Sequence, residues 1–248
     1  AQDQLENALA ESIDTTDQQT FVVTLREGLK FSDGSPITTA NVQASLLHWA
    51  KPEVASHAYA GMKDIDTIEV TDDRVLTIRL KQVNASFLEY LADPAAAIMP
   101  DAALADGNVS AEIGAGPFRL ADWDKGISMT FEKNDNYYDA ENVYLERLEG
   151  TLYTDATARL NALYGGDVDF IDVVPWEAFD QIAGTPGLVM DEASANFQYV
   201  MFNVGVAPFD NPLVRQAVAY AINRDNSIRA AFYGHGRTLY GPLNGQED

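Results

Sequence analysis

Asp167 and Asp169 are the two side chains whose type and spacing come closest to acid–base chemistry in this sequence. Carboxylates two residues apart on a strand share one face, and a pair of carboxylates can act as general acid and general base. The pair follows two glycines, however, and an Asp-rich turn between a helix and a strand is more often structural. We therefore interpret these residues as part of a turn that leads into a short strand.

Two further stretches look like ligand loops, but neither fits the motif that it suggests. Gly114 and Gly116 could begin a phosphate-binding loop, yet the third glycine is missing and Pro117 has no backbone N–H to donate. Asp135 and Asp139 stand at the first and fifth positions of a calcium-binding EF-hand loop, but alanine replaces the glycine that the sixth position requires. We predict neither a phosphate site nor a calcium site there.

The other side chains that could perform chemistry are scattered. The sequence has no cysteine, which excludes disulfides and thiolate chemistry. The histidines His48, His57 and His235 are far apart in sequence, and no Gly-x-Ser-x-Gly or His-Glu-x-x-His stretch is present. We therefore expect no catalytic residue, no metal and no cofactor. A carboxylate-dependent hydrolase stays open as an alternative because acidic residues are abundant.

The charge of the chain narrows the choice of partners. There are 38 acidic and 16 basic residues, which gives a formal net charge of −22. Such a surface repels nucleic-acid phosphates and anionic lipid headgroups, so we expect neither as a partner. With 46% hydrophobic residues and no apolar run of ~20 residues, the chain is typical of a globular protein without a membrane span. Adaptation to salt would explain the excess of acids.

The elements that must position any site are organised around the stretch 20–50. Thr20–Leu25 is rich in β-branched and aromatic residues and predicts a strand. Ser32-Asp33-Gly34-Ser35-Pro36 predicts a tight turn, because Asp and Gly tolerate positive φ and Pro fixes φ at about −65°. Thr38 is then the expected N-cap of a helix. The predicted buried face of this helix carries Val42, Leu46, Trp49 and Ala50.

Alternation and helical spacing predict further elements. Ile65–Val70 and Val75–Leu80 flank an Asp-containing turn and predict a β-hairpin. Residues 5–13 have leucine or isoleucine at every fourth position and predict a short helical or irregular lead-in. Strands are expected over 127–132, 145–153 and 197–204, and helices over 154–164 and 212–222. In the last helix, the residues at core spacing are Val214, Ala217, Val218, Ala221 and Ile222.

Two stretches far apart in the chain have an order of residues that is more specific than their chemistry. Residues 25–38 read Leu-Arg-x-Gly-x-Lys-Phe-Ser-Asp-Gly-x-Pro-Ile-Thr, and residues 208–224 read Pro-Phe-Asp-x-x-x-Val-Arg-x-Ala-x-x-x-Ala-Ile-x-Arg. Both resemble signatures of the family 5 extracellular solute-binding proteins, the oligopeptide, dipeptide and nickel receptors of ABC importers. Weaker resemblances lie at 114–118 and 133–139. Asn41, Ala115 and Phe118 depart from the residues usual in the family, so a weakened helix capping box is expected at Asn41.

The resemblance implies a fold and a function. The implied fold class is α/β, with the mixed sheets of a type II periplasmic binding protein and an incomplete bilobal receptor. The implied function is the capture of a peptide or similar small solute outside the membrane, at a periplasmic or cell-surface location. The partners would be that solute and an ABC permease, and the receptor would be a monomer without enzymatic activity. A receptor for nickel or another non-peptide solute is the alternative within the family.

Family receptors are much longer than this chain, so we expect a piece that lacks the first strands and the C-terminal half. Residues 1–110 would form a smaller lobe, 111–196 part of a larger lobe, and 197–248 the hinge strand and the start of the second cleft lobe. The residues expected to contact the ligand are Tyr59, Phe197, Tyr199 and Met201. The last three would share one face of the hinge strand, while ordinary core is the alternative for Phe197 and Met201.

Overall fold

The computed structural model of the protein describes residues 5–105, 113–191 and 198–239. The chain divides into two units, which comprise residues 1–152 and 153–248. Neither predicted lobe boundary, near residue 110 or residue 196, coincides with this division. The lobes are those of a complete receptor, so the three-part organisation stays a prediction.

Unit 1 contains an antiparallel sheet of four strands in the order β1-β2-β4-β3. Alternation along the central strands places Phe21, Val23 and Leu25 inward, together with Leu76, Ile78 and Leu80 opposite them. The predicted strand after residue 20 and the predicted hairpin are both confirmed. The strands are β1 (Ala10–Asp14), β2 (Thr20–Leu25), β3 (Ile65–Val70) and β4 (Val75–Leu80).

The first strand replaces the helical lead-in that the sequence predicts, so that prediction is wrong. Ala10–Asp14 pairs antiparallel with β2, because an open strand edge offers the backbone N–H and C=O groups a partner. Leu9 and Ile13 still pack against the core. The spacing of Leu9 and Ile13 therefore predicts correctly that both pack against the core, although it does not distinguish a helix from a strand.

Helix α1 (Thr39–Trp49) covers the inner face of this sheet. Val42, Leu46 and Trp49 are buried, as predicted. Side-chain hydrogen bonds attach the helix to neighbouring segments. For example, the Trp49 indole N–H donates to the carbonyl of Ala97 at 2.8 Å. Asn41 forms the capping contact that was expected to be weak, because its Oδ1 accepts from the backbone N–H of Thr38 at 2.9 Å. Its amide nitrogen also donates to Asp101 at 3.0 Å.

A second sheet of unit 1 has three consecutive antiparallel strands, β5 (Phe118–Asp124), β6 (Ser128–Lys133) and β7 (Arg147–Thr151). The strands predicted over 127–132 and 145–153 correspond to β6 and β7. Unit 1 also contains short helices, and one of them begins at Tyr59. These helices are α2 (Tyr59–Met62), α3 (Phe87–Leu91) and α4 (Asp101–Ala105).

The described part of unit 2 is helical. Asp155 caps α5 by accepting from the backbone N–H of Ala158 at 2.7 Å, and Asn211 caps α7 with Pro212 at its first position. The helices are α5 (Ala156–Gly165), α6 (Phe179–Ala183), α7 (Pro212–Ala221) and α8 (Arg224–Ala231).

The predicted strands of unit 2 and the predicted buried face of its helix over 212–222 are wrong in the described part of this chain. No strand is assigned over 168–170 or over the described part of 197–204. A strand exists only when a second strand pairs with it, and the described residues of unit 2 supply no sheet. Helix α7 forms where expected, but none of its residues is buried; Val214 and Val218 are half-buried and Tyr220 is 90% exposed.

The acidic excess leads to a prediction about salt. In the described ranges, the lysines and arginines paired with carboxylates within 4.0 Å are Arg74, Arg119, Lys133 and Arg147, so most acids have no lysine or arginine partner to offset their repulsion. Raising KCl from about 0.05 to 2 M shortens the range of that repulsion. We expect the melting temperature to rise by roughly 2–8 °C, equivalent to about 1–2 kcal/mol.

Thermal melts followed by circular dichroism across a KCl series would measure this effect. Sucrose at matched osmolality is the control, because it stabilises by exclusion and does not screen charge. A melting temperature that stays constant or falls from low to molar KCl would contradict the expectation.

Candidate functional site

Three stretches that carry the resemblance meet in unit 1 at one hydrogen-bonded junction. The backbone N–H of Ser32 donates to the carbonyl of Gly114 at 2.8 Å, and the backbone N–H of Gly114 donates to the Ser32 hydroxyl at 3.3 Å. The amide of Asn136 donates to the Ser32 carbonyl at 3.4 Å. The junction therefore connects the turn after β2 to the segment that precedes β5 and to the segment that follows β6.

Asn134 is the buried centre of this junction, with a relative exposure of 0%. Its side-chain amide donates to the carbonyl of Gly116 at 2.8 Å, and its Oδ1 accepts from the backbone N–H of Asn136 at 3.0 Å. A buried amide without partners costs free energy, so these bonds are needed for Asn134 to be buried. The sequence analysis identified residues 133–139 by the order of their residue types, and it did not predict that Asn134 is buried.

Next to the junction lies an open cleft of about 470 Å³ in unit 1. Arg26 is held along one side, where its Nε donates to the carbonyl of Ala8 at 2.6 Å and its Nη2 donates to the carbonyl of Asn7 at 3.0 Å. The guanidinium carbon lies 4.9 Å from the centre of the Tyr138 ring, which is a cation–π distance. The lining residues are Arg26, Glu27, Gly28, Lys30, Asp135, Asn136, Tyr137 and Tyr138.

Two adjacent tyrosines form the opposite side of this cleft. The ring centres of Tyr137 and Tyr138 lie 4.6 Å apart. Burial, with a smaller contribution from the Tyr138 hydroxyl, raises the pKa of Tyr137 to about 12. The Tyr137 hydroxyl is thus a neutral group that interacts with the hydroxyl of Tyr138.

The predicted ligand residues fall in both units. Tyr59 begins α2 in unit 1 and is half-buried. In unit 2, Tyr199 is 64% exposed and Met201 is 76% exposed, so the alternative that Met201 is core does not hold in this chain. Phe197 lies outside the described residues. The next ring along, Phe202, is half-buried and packs on Phe209 with ring centres 5.3 Å apart.

Sequence reasoning did not anticipate an aromatic cluster in unit 2. Trp176 packs on Phe179 at 4.9 Å between ring centres and meets Phe232 edge-on at 5.3 Å. His235 continues the cluster, 5.0 Å from the Phe179 ring and 3.5 Å from a carboxylate oxygen of Asp180. No local pattern could have indicated the cluster, because its members are separated along the chain.

In the described ranges, no three His, Cys, Asp or Glu side chains are grouped closely enough to hold a metal ion. Asp167 and Asp169 are both exposed, and they do not lie on a strand. No helix in the described part of the chain combines the length and the apolarity needed to cross a bilayer.

The fold is that of the type II periplasmic binding proteins. PBP AgaA from A. tumefaciens R10, solved with agropinic acid, is 35% identical with a TM-score of 0.84 and matches 94% of this chain and 48% of its own. The DppA binding protein of Helicobacter pylori, solved with the peptide STSA, is 25% identical with a TM-score of 0.83 over 96% and 52%. NikZ of Campylobacter jejuni, solved with Ni(L-His), shows the same fold at 22% identity and a TM-score of 0.83 over 97% and 49%.

The family follows from the sequence itself. The model of the bacterial extracellular solute-binding proteins, family 5 Middle, matches residues 4–247, and the chain belongs to this family. The glutathione-binding protein GsiB of Pectobacterium atrosepticum is 34% identical over 242 residues, 96% of this chain and 47% of GsiB. GsiB of Escherichia coli K12 is 32% identical over 236 residues, 93% and 46%. The chain thus spans about half the length of the curated relatives that it matches.

Proposed function

We propose that this chain belongs to the substrate-binding component of an ABC importer. The component captures a peptide or a similar small solute in the periplasm or at the cell surface and delivers it to the permease. The observation that carries the proposal is the family match, which covers nearly the whole chain. GsiB binds glutathione and the H. pylori neighbour was solved with a peptide, so a peptide is the solute class favoured.

A non-peptide solute is the second candidate. It is favoured by AgaA, which is 35% identical and was solved with agropinic acid. Native mass spectrometry of the receptor purified from its source would identify the co-purified molecule and separate the two classes. A peptide mass would support the first candidate, and a non-peptide or nickel complex would support the second. Recovery of no small molecule after gentle purification, together with no binding of any tested solute, would contradict both.

The relatives and structural neighbours are binding proteins and not enzymes, which favours a role without catalysis. If the protein were a carboxylate-dependent hydrolase, it would cleave the solute that a binding protein releases intact. Incubation of the receptor with glutathione or with the peptide Ser-Thr-Ser-Ala, followed by mass spectrometry, should return the solute intact. Cleavage products that depend on the receptor would overturn the binding role.

The proposed contacts give a mutational test. Tyr59→Ala and Tyr199→Ala in the receptor that carries this chain should each weaken solute affinity by about tenfold, because a buried aromatic contact supplies ~1–2 kcal/mol at an interface. Calorimetric titration would measure the dissociation constants. Tyr144 and Tyr220 are 85% and 90% exposed, so Tyr144→Ala and Tyr220→Ala serve as controls in units 1 and 2. Unchanged affinity in the folded Tyr59 and Tyr199 variants would remove both residues from the site.

A further inference from the structure

We propose that the cleft between Arg26 and Tyr137 binds a small oxyanion, either a carboxylate or a phosphate group. The cleft lies within unit 1, and its lining does not include Tyr59, the predicted solute contact of that unit. Its volume, about 470 Å³, is in the range of small-molecule sites. The inference does not depend on the transport role, because it concerns different residues.

Two cations supply the charge that an oxyanion requires. Arg26 uses Nε and Nη2 to hold the carbonyls of Ala8 and Asn7, and its Nη1 donates to no group among the described residues. The exposed Lys30 side chain has no carboxylate within 4.0 Å in the same part of the chain. Guanidinium and ammonium groups form the strongest hydrogen bonds that proteins offer to carboxylate and phosphate oxygens.

The cleft also contains two acidic side chains, Glu27 and Asp135, and neither is paired with Arg26 or Lys30. The Glu27 carboxylate lies 2.7 Å from Arg74, which also pairs with Glu11 at 2.6 Å. Asp135 is exposed, and among the described residues it has no basic partner within 4.0 Å. The lining therefore has two cations that no described carboxylate approaches within 4.0 Å, beside two carboxylates, in a chain whose net charge is −22. Cations without a carboxylate partner attract anions locally.

The opposite side of the cleft adds neutral donors and an apolar surface. The Tyr137 and Tyr138 hydroxyls are neutral hydrogen-bonding groups that carry no repelling charge, and the Tyr138 ring stacks against Arg26 at 4.9 Å. The cations follow β2, and the tyrosines follow β6. A bound oxyanion would therefore bridge the segments that leave the two sheets, and it would stabilise unit 1 by mass action.

Calorimetric titration of the chain at low ionic strength tests the proposal, with inorganic phosphate and succinate as separate probes and KCl at matched ionic strength as the blank. The wild type should give saturable binding of at least one probe. Lys30→Gln should raise the dissociation constant by about five- to tenfold, because one charge-assisted hydrogen bond is lost. Asp135→Asn should lower the dissociation constant by about threefold, because it removes one of the two repelling carboxylates that line the cleft.

Lys125→Gln is the matched control, because Lys125 is a surface lysine that lies 5.0 Å from the Trp123 ring and does not line the cleft. It should bind both probes as the wild type does. Saturation by phosphate alone assigns the site to phosphate groups, and saturation by succinate assigns it to carboxylates. Equal affinity in Lys30→Gln and the wild type would overturn the proposal. So would an equal loss in Lys125→Gln, or the absence of saturable binding below about 50 mM of either probe.

Discussion

Replacing Phe87 by alanine should lower the free energy of unfolding of unit 1 by about 3–5 kcal/mol. Phe87 has a relative exposure of 0%, and its ring centre lies 5.0 Å from that of Phe21 in the four-stranded sheet. The substitution removes the apolar surface of a whole ring and leaves a cavity that close-packed neighbours fill only in part. Urea denaturation followed by circular dichroism would measure the loss.

Phe170→Ala is the matched control for this substitution. The Phe170 side chain is 80% exposed, so its removal should change stability by no more than about 0.5 kcal/mol. If Phe87→Ala were as stable as Phe170→Ala, then α3 would not pack on β2 as described, and the core of unit 1 would need to be reassigned.

The second large effect is expected from Gly61→Ala in α2. A Cβ atom built on Gly61 would lie 2.3 Å from Cγ and 2.5 Å from Cβ of Tyr90. Those atoms stand close to the backbone of α3 and cannot move aside without shifting the helix. We expect overpacking to lower the free energy of unfolding by about 1–3 kcal/mol or more, as measured by the same urea denaturation.

Two further variants show whether the clash is the cause. The double variant with Gly61→Ala and Tyr90→Ala should cost less than the sum of the two single substitutions, because removal of the ring relieves the contact. At Gly116, an added Cβ would meet no atom within 4 Å, so Gly116→Ala should have a small effect. Additive losses in the double variant would show that Gly61→Ala acts through another contact.

The sequence predicts the parts of the fold whose pattern is local. Alternation in β2 and β4 and the spacing of Val42, Leu46 and Trp49 on α1 each indicate one inward face, and the structure buries those faces. In β3 a bulge between Ile65 and Thr67 interrupts the alternation, so Ile65 and Ile68 are buried while Val70 is exposed. The lead-in strand β1 could not be predicted in this way, because its conformation depends on the edge of β2. For the same reason, strand-like composition over 197–204 does not give a strand in a unit whose described residues contain no sheet.

Local sequence patterns also predict the candidate sites only in part. The exposure of Tyr199 and Met201 agrees with the availability that a ligand contact requires, and their role stays a proposal. The cleft beside the junction could not be inferred from the sequence, because Arg26 and Lys30 have the spacing of an ordinary charged turn. Only the folded chain brings Tyr137 and Tyr138, which follow a different sheet, to the other side.

The junction at Ser32 and Asn134 has a consequence for the order in which unit 1 folds. The hydrogen bond from Asn136 to Ser32 joins residues 104 positions apart, whereas β5, β6 and β7 pair only with their neighbours in sequence. Closing a long loop costs more entropy than forming a hairpin, so distant contacts tend to form late. In a pulsed hydrogen-exchange experiment during refolding, the Gly114 amide should therefore gain protection after the amides of β6. Simultaneous protection would instead place the junction in the folding nucleus.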